Sequence, residues 1–182
     1  CIFALLGLIS CSDGSYRGQA SGKEVSGILV VSDSMGTGYR IATPYPDRIS
    51  LVTGVKVINN SIDGRQTGEV VGLLEGLLDE HKPSHLVLLM GTNDARKNRQ
   101  TEAVANLGKM SQLALHRQIE VVIGTIPVYM PSQQIDQRAR LISESIKTLQ
   151  GIRVADIRTA LGDGTDSLAD GIHPNDAGQQ LM

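Results

Sequence analysis

Five short aliphatic runs, separated by helical patterns, constrain the fold of this chain more than any other feature of its sequence. The runs lie at residues 28–31, 55–58, 85–90, 119–124 and 152–157. They show no alternation of apolar and polar residues, which is typical of strands covered on both faces of a parallel sheet. Between them, apolar residues recur at helical spacing, as in residues 67–83 and 131–149. The alternation predicts an α/β protein, a three-layer α/β/α sandwich around a five-stranded parallel sheet.

Polar clusters follow four of these runs and predict where a site would lie. SDSMGTG follows the first run, NNSIDG the second, GTNDA the third, and DGIHPN comes after the fifth. Ligands of open α/β sheets bind beyond the carboxyl ends of the strands. We therefore expect the four clusters to meet at one edge of the sheet.

Composition argues against several functional classes. The chain has 182 residues, enough for one domain with a real core. Its net charge is -2, and only 3% of its residues are aromatic, which disfavours nucleic-acid binding. Its cysteines are confined to positions 1 and 11, so the rest of the chain has no thiolate metal site, and it contains no glycine-rich calcium loop. We predict neither a metal nor a cofactor.

The first residues resemble a targeting signal. Residues 1–10 are almost wholly apolar but too few to span a bilayer, which takes roughly 20 residues. They suit the apolar region of a secretory signal, and Leu8-Ile9-Ser10-Cys11 resembles a bacterial lipobox, in which the cysteine is lipidated. A buried strand that happens to end in cysteine is the alternative.

The lipobox interpretation sets the predicted domain boundaries. Residues 1–11 are a partial lipoprotein signal peptide, the small and polar residues 12–27 are a flexible tether, and 28–182 form the folded domain. The protein would be anchored through Cys11 in the bacterial cell envelope, in the periplasm or at the surface. Contact with the membrane is expected through this anchor alone.

Taken together, the four polar clusters resemble the SGNH hydrolase family, also called GDSL esterases. The blocks of that family begin with a GDS serine, a glycine, a GxND asparagine and a DxxH pair. The matching residues here are 32–34, Gly64, 91–94 and 170–173. The resemblance runs from about residue 28 to 178. It implies a flavodoxin-like sandwich that hydrolyses small-molecule esters or thioesters, including acyl and acetyl esters.

The resemblance also implies roles for single residues. Ser34 matches the nucleophile, His173 the base and Asp170 the acid that orients the histidine. The N–H groups of Ser34 and Gly64 and the side-chain amide of Asn93 match the oxyanion donors. The residue types suit this chemistry, because a serine hydroxyl needs an adjacent base and the developing oxyanion needs N–H donors.

Two departures from the family pattern stand out. Ser32 occupies a position where the family usually has glycine, so its side chain could crowd the turn. The chain ends at Met182, nine residues after His173, so we expect a truncated C-terminal helix.

Other interpretations of the first cluster remain open. Ser34 alone could be a helix cap or a turn residue. SDSMG nearly matches the G-x-S-x-G elbow of α/β-hydrolases, although that fold places its serine deeper in the chain. A non-catalytic flavodoxin-like module could instead bind phosphate or a nucleotide through the backbone of this loop, but the chain has no Walker lysine and no G-x-G-x-x-G motif.

Overall fold

The computed structural model describes residues 26–182, which form a three-layer α/β/α sandwich. Five parallel strands lie in the order β2-β1-β3-β4-β5, the flavodoxin-like order. The strands are β1 (Ile28–Ser32), β2 (Val57–Ser61), β3 (His85–Leu89), β4 (Glu120–Gly124) and β5 (Arg153–Ala155). The predicted fold class is confirmed.

Nine helices lie within residues 26–182. They are α1 (Ser34–Thr37), α2 (Tyr45–Thr53), α3 (Thr67–Val71), α4 (Leu74–His81), α5 (Thr92–Arg96), α6 (Gln100–His116), α7 (Gln133–Ile146), α8 (Ile157–Leu161) and α9 (Asp176–Leu181).

Two elements differ from the sequence pattern. β2 starts two residues later than the run at 55–58, because it is a half-exposed edge strand whose register is set by β1 alone. The helical pattern over 67–83 contains two helices rather than one. The first ends at Val71, just before the poor helix former Gly72, and the second begins at Leu74 after its N-cap Leu73.

Two apolar layers cover the sheet. On β1, Leu29 and Val31 face the layer shared with α3, α4, α6 and α7. Ile28 and Val30 face the opposite layer, which contains residues of α2 and α8. Successive strand residues point to opposite faces, so a continuous aliphatic run is what a sheet covered on both sides requires.

The carboxyl ends of three neighbouring strands lie in register. Ser32 of β1 is paired with Ser61 of β2 and with Leu89 of β3. The chain therefore leaves these strands at one level, and the polar clusters after β1, β2 and β3 start side by side.

The loop that carries residues 170–173 is held from two directions. Within its own turn, Ala169 N–H donates to the carbonyl of His173 at 2.8 Å. From the β4–α7 connection, Met130 N–H donates to the carbonyl of Gly171 at 2.9 Å. That connection is itself fixed by Asp136, which accepts the N–H of Tyr129. The two carboxylate oxygens of Asp136 also accept hydrogen bonds of 2.7 Å each from one guanidinium nitrogen of Arg158.

The predicted N-terminal segments fall largely outside the described residues. The proposed lipobox with Cys11 and most of the tether stay predictions, and so does the place in the cell envelope. The carbonyl of Gly27, the residue before β1, accepts the N–H groups of Ser84 and His85, and the predicted domain boundaries stay predictions. No helix in residues 26–182 is both long and apolar enough to cross a membrane. The last helix spans Asp176–Leu181, and its expected truncation stays a prediction.

Candidate active site

Ser34 lies where β1 turns into α1. β1 ends at Ser32, and Asp33 caps the short helix by accepting the N–H of Met35 at 3.0 Å. Ser34 is the first helical residue and is partly exposed, whereas Asp33 and Met35 beside it are buried. The abrupt change from strand to helix thus presents the Ser34 hydroxyl at the sheet edge.

The structure brings together the three predicted residues Ser34, His173 and Asp170. His173 Nε2 lies 3.0 Å from Ser34 Oγ, and its Nδ1 lies 2.8 Å from Asp170 Oδ2. The other Asp170 oxygen accepts the backbone N–H groups of Ile172 and His173 at 3.0 and 2.8 Å. Partial burial raises the pKa of Asp170, but the bonds from His173 and Ile172 outweigh it and hold the pKa below its ordinary value. Asp170 is therefore an ionised partner that fixes the imidazole.

Two backbone N–H groups are available near Ser34. The N–H of Ser34 belongs to the first residue of a helix, where no intrahelical acceptor exists. Gly64 is exposed in a turn with φ of +75°, and its N–H has no acceptor among residues 26–182. A left-handed backbone suits glycine, so this residue type follows from the turn.

Asn93 is buried and oriented through both ends of its amide. Nδ2 donates to Asp33 Oδ2 at 3.3 Å and to the carbonyl of Arg65 at 3.2 Å. Oδ1 accepts from Arg96 at 3.3 Å. The donors and acceptors agree on which way the amide points, with its nitrogen towards Asp33, the residue next to Ser34.

A second carboxylate joins the loops after β2 and β3. Asp94 accepts the hydroxyl of Thr67 at 2.7 Å and the N–H of Thr67 at 3.1 Å. Burial raises the pKa of Asp94, although the two bonds from Thr67 oppose the rise. This contact ties the start of α3 to α5 and so keeps Arg65 beside Asn93.

Asp33 is the most deeply buried acid of the site. Burial raises its pKa to about 7; the bond from Met35 N–H opposes the rise, and the nearby Asp94 charge adds to it. The structure adds the contact with Asn93, which the sequence could not show because 60 residues separate the two.

The free energy of unfolding should depend on pH through Asp33. Because its folded-state pKa lies above the ordinary 3.8, its contribution to stability is full below about pH 4 and is lost as the pH rises to about 7. Between pH 5 and pH 8 the free energy of unfolding of the wild-type protein should fall by about 2 kcal/mol more than that of Asp33→Asn. Urea unfolding of both proteins measures this, and equal losses would show that Asp33 keeps an ordinary pKa.

The side chain of Ser32 does not crowd the turn. Its hydroxyl donates to the carbonyl of Leu89 at 2.6 Å, inside the sheet. Room exists because Gly36 faces it. A Cβ on Gly36 would lie 2.7 Å from Ser32 Cβ and 2.2 Å from Ser61 Oγ. The missing glycine at position 32 is thus compensated by a glycine four positions later.

This packing makes Gly36 intolerant of any side chain. Gly36→Ala should lower the free energy of unfolding by about 1–3 kcal/mol, because overpacking of a filled space carries that cost. Ser32→Gly in the same background should recover part of the loss by removing one of the two close contacts. Gly76→Ala is the control, since nothing lies within 4 Å of its Cβ position. Thermal unfolding of the four proteins checks this, and a wild-type melting temperature for Gly36→Ala would contradict it.

Two aromatic and cationic neighbours of His173 escaped the sequence reasoning. The ring of Tyr39 lies 4.4 Å from the imidazole, centre to centre, at 34°. The guanidinium carbon of Arg40 lies 5.0 Å from the centre of the Tyr39 ring. No sequence motif singled out Tyr39 or Arg40.

Within residues 26–182, no group of three or more histidine, cysteine, aspartate or glutamate residues could hold a metal ion.

Comparison with known proteins identifies the family. Residues 27–181 match the model of the GDSL-like lipase/acylhydrolase family. An arylesterase from Vibrio mimicus is 34% identical over 133 residues, which are 68% of this chain and 64% of that protein. The chain belongs to the GDSL-like lipase/acylhydrolase family, a family of carboxylic ester hydrolases.

Solved structures share the fold. A member of the lipolytic G-D-S-L family from Veillonella parvula superimposes with a TM-score of 0.76 at 24% identity, over 85% of this chain and 92% of that one. A catalytic mutant of an acetylxylan esterase from Geobacillus stearothermophilus superimposes with a TM-score of 0.73 at 16% identity, over 86% and 90% of the two chains. At these identities the likeness concerns the fold alone.

Proposed function

We propose that this protein hydrolyses carboxylic esters of small molecules through an acyl-enzyme formed on Ser34. The observation that carries the proposal is the 3.0 Å contact between Ser34 Oγ and His173 Nε2, with Asp170 on the other ring nitrogen. Family membership and the arylesterase relative support it. A module that only bound phosphate or a nucleotide would have no need of this contact.

The proton moves between Ser34, His173 and the substrate. His173 Nε2 takes the proton of Ser34 as Oγ attacks the carbonyl carbon and its oxygen becomes an oxyanion. The imidazolium, paired with Asp170, then gives this proton to the alcohol oxygen as the ester bond breaks. Water enters, gives a proton to His173 and attacks the acyl-enzyme, and the returned proton frees Ser34. The net result is an acid and an alcohol.

The oxyanion would be bound by three donors. The backbone N–H groups of Ser34 and Gly64 lack protein acceptors in residues 26–182, so they can bind it without losing an existing bond. Asn93 differs, because both hydrogens of its amide already have partners, at 3.2 and 3.3 Å. These bonds are at the long end of the N–H···O range, and an oxyanion 2.7–3.1 Å away would compete well for a shared hydrogen.

The nucleophile can be tested by substitution. Ser34→Ala should lose hydrolysis of p-nitrophenyl acetate and covalent labelling by a fluorophosphonate, because no hydroxyl remains beside His173. Ser32→Ala is the matched control, since Ser32 is buried and bonded to Leu89, and it should keep both. Acyl thioesters assayed with the same proteins would extend the proposal to thioesters. Equal labelling of the wild type and Ser34→Ala would overturn the assignment.

Asn93 can be separated from a purely structural role. If its amide binds the oxyanion, Asn93→Ala should lower kcat by roughly 100- to 1000-fold and leave KM within a few-fold, because the interaction forms in the transition state. Circular dichroism at the assay temperature measures the folded fraction, to which kcat is normalised. A normalised kcat equal to that of the wild type would remove Asn93 from the mechanism.

A further inference from the structure

A cation lies close to the proposed base. The Tyr39 ring is 4.4 Å from the His173 ring, and the Arg40 guanidinium is 5.0 Å from the Tyr39 ring. The guanidinium carbon of Arg40 therefore lies no further from the centre of the imidazole ring than the sum of these two distances. None of the proposed hydrolytic steps uses Arg40.

Arg40 is exposed and uncommitted. Its guanidinium makes no hydrogen bond or ion pair with any residue in 26–182 and lies against the aromatic ring of Tyr39. Its backbone has φ of +58°, a conformation that residues with a side chain rarely adopt. The turn places a charged side chain beside the site although glycine would fit this backbone better.

The position of Arg40 relative to the oxyanion donors decides which part of a substrate it meets. Gly64 lies in the loop before α3 and Asn93 lies in α5, and both helices pack on one face of the sheet. Tyr39 and His173 precede α2 and α9, whose contacts are with each other and with the opposite layer. Tyr39 therefore lies on the His173 side of Ser34.

An ester in this site must be oriented accordingly. Its carbonyl oxygen points to the oxyanion donors, and its alcohol oxygen must lie at His173 Nε2, which protonates it. The alcohol portion is thus on the side of Tyr39 and Arg40. The Asp63 carboxylate accepts the hydroxyl of Thr37, so it already has a hydrogen-bond partner, whereas the Arg40 guanidinium has none among residues 26–182.

We propose that Arg40 determines specificity by favouring esters whose alcohol carries an anionic group, a carboxylate or a phosphate, about one aromatic ring away from the ester oxygen. The inference rests on the proposed esterase function and names the substrate class of that site. The guanidinium binds carboxylate and phosphate alike through paired N–H donors, and Tyr39 limits where it can reach.

A matched substrate pair tests this. 4-Acetoxybenzoate has an anionic leaving alcohol, and its methyl ester has a neutral one of the same shape near the scissile bond. The measured quantity is the ratio of kcat/KM for the anionic to the neutral substrate, which cancels changes common to both. Arg40→Gln should lower this ratio about 3- to 5-fold, the range of an exposed charge pair. Arg40→Glu should lower it further, and Arg40→Lys should retain most of it.

Controls separate a local effect from a general one. Arg117→Gln removes the same charge between α6 and β4, at the opposite edge of the sheet, and should leave the ratio unchanged. In 1 M NaCl, where the Debye length is about 3 Å, the difference between wild type and Arg40→Gln should shrink. 4-Acetoxyphenyl phosphate replaces the benzoate in a second arm, which tells a preference for phosphate from one for carboxylate.

The outcomes distinguish the two proposals. If the wild type hydrolyses the substrates and Arg40→Gln has an unchanged ratio with both anions, the specificity role is wrong while the esterase function stands. If the wild type hydrolyses none of them and Ser34 is not labelled by a fluorophosphonate, the esterase function fails and the inference fails with it.

Discussion

The in-register ending of β1, β2 and β3 is the constraint on which the site depends. Backbone pairing of Ser32 with Ser61 and Leu89 sets the level at which three loops leave the sheet. This register is fixed by burial on both faces, since a shift by one residue would turn every side chain of a strand to the opposite layer. Core packing thus determines the position of polar groups that themselves contribute little to the core.

A buried polar network refines this placement. Asp33, Asn93 and the carbonyl of Arg65 are linked below Ser34, and Asp94 with Thr67 closes the neighbouring loop. Burying a carboxylate opposes folding, as the raised pKa of Asp33 shows. In return, the Asn93 amide is held in one orientation, which the proposed oxyanion donor requires. The site therefore gains order at the expense of stability.

The sequence predicted most of this fold because aliphatic runs and motif spacing are local signals. It predicted that the clusters with Ser34, Gly64, Asn93, Asp170 and His173 would meet at one sheet edge, and the structure places them there, since the edge follows from strand order and direction. It misplaced the start of β2, because the residues of an edge strand are only half-buried and so do not form a clear aliphatic run. The sequence could not show whether the Ser32 side chain fits its turn, because that depends on its packing against Gly36 and Ser61. Nor could it identify Arg40, whose proposed role depends on the Tyr39 and His173 rings between it and Ser34.

The contact between Ser34 and His173 spans 139 residues of sequence, and this separation has a consequence for the nascent chain. Chains are made from the N-terminus, so β1 and its serine emerge early, while the loop with the histidine follows all five strands. A partly synthesised chain carries the hydroxyl without the imidazole that contacts it. Under the proposed mechanism, hydrolytic activity would therefore appear only when synthesis has passed the last strand.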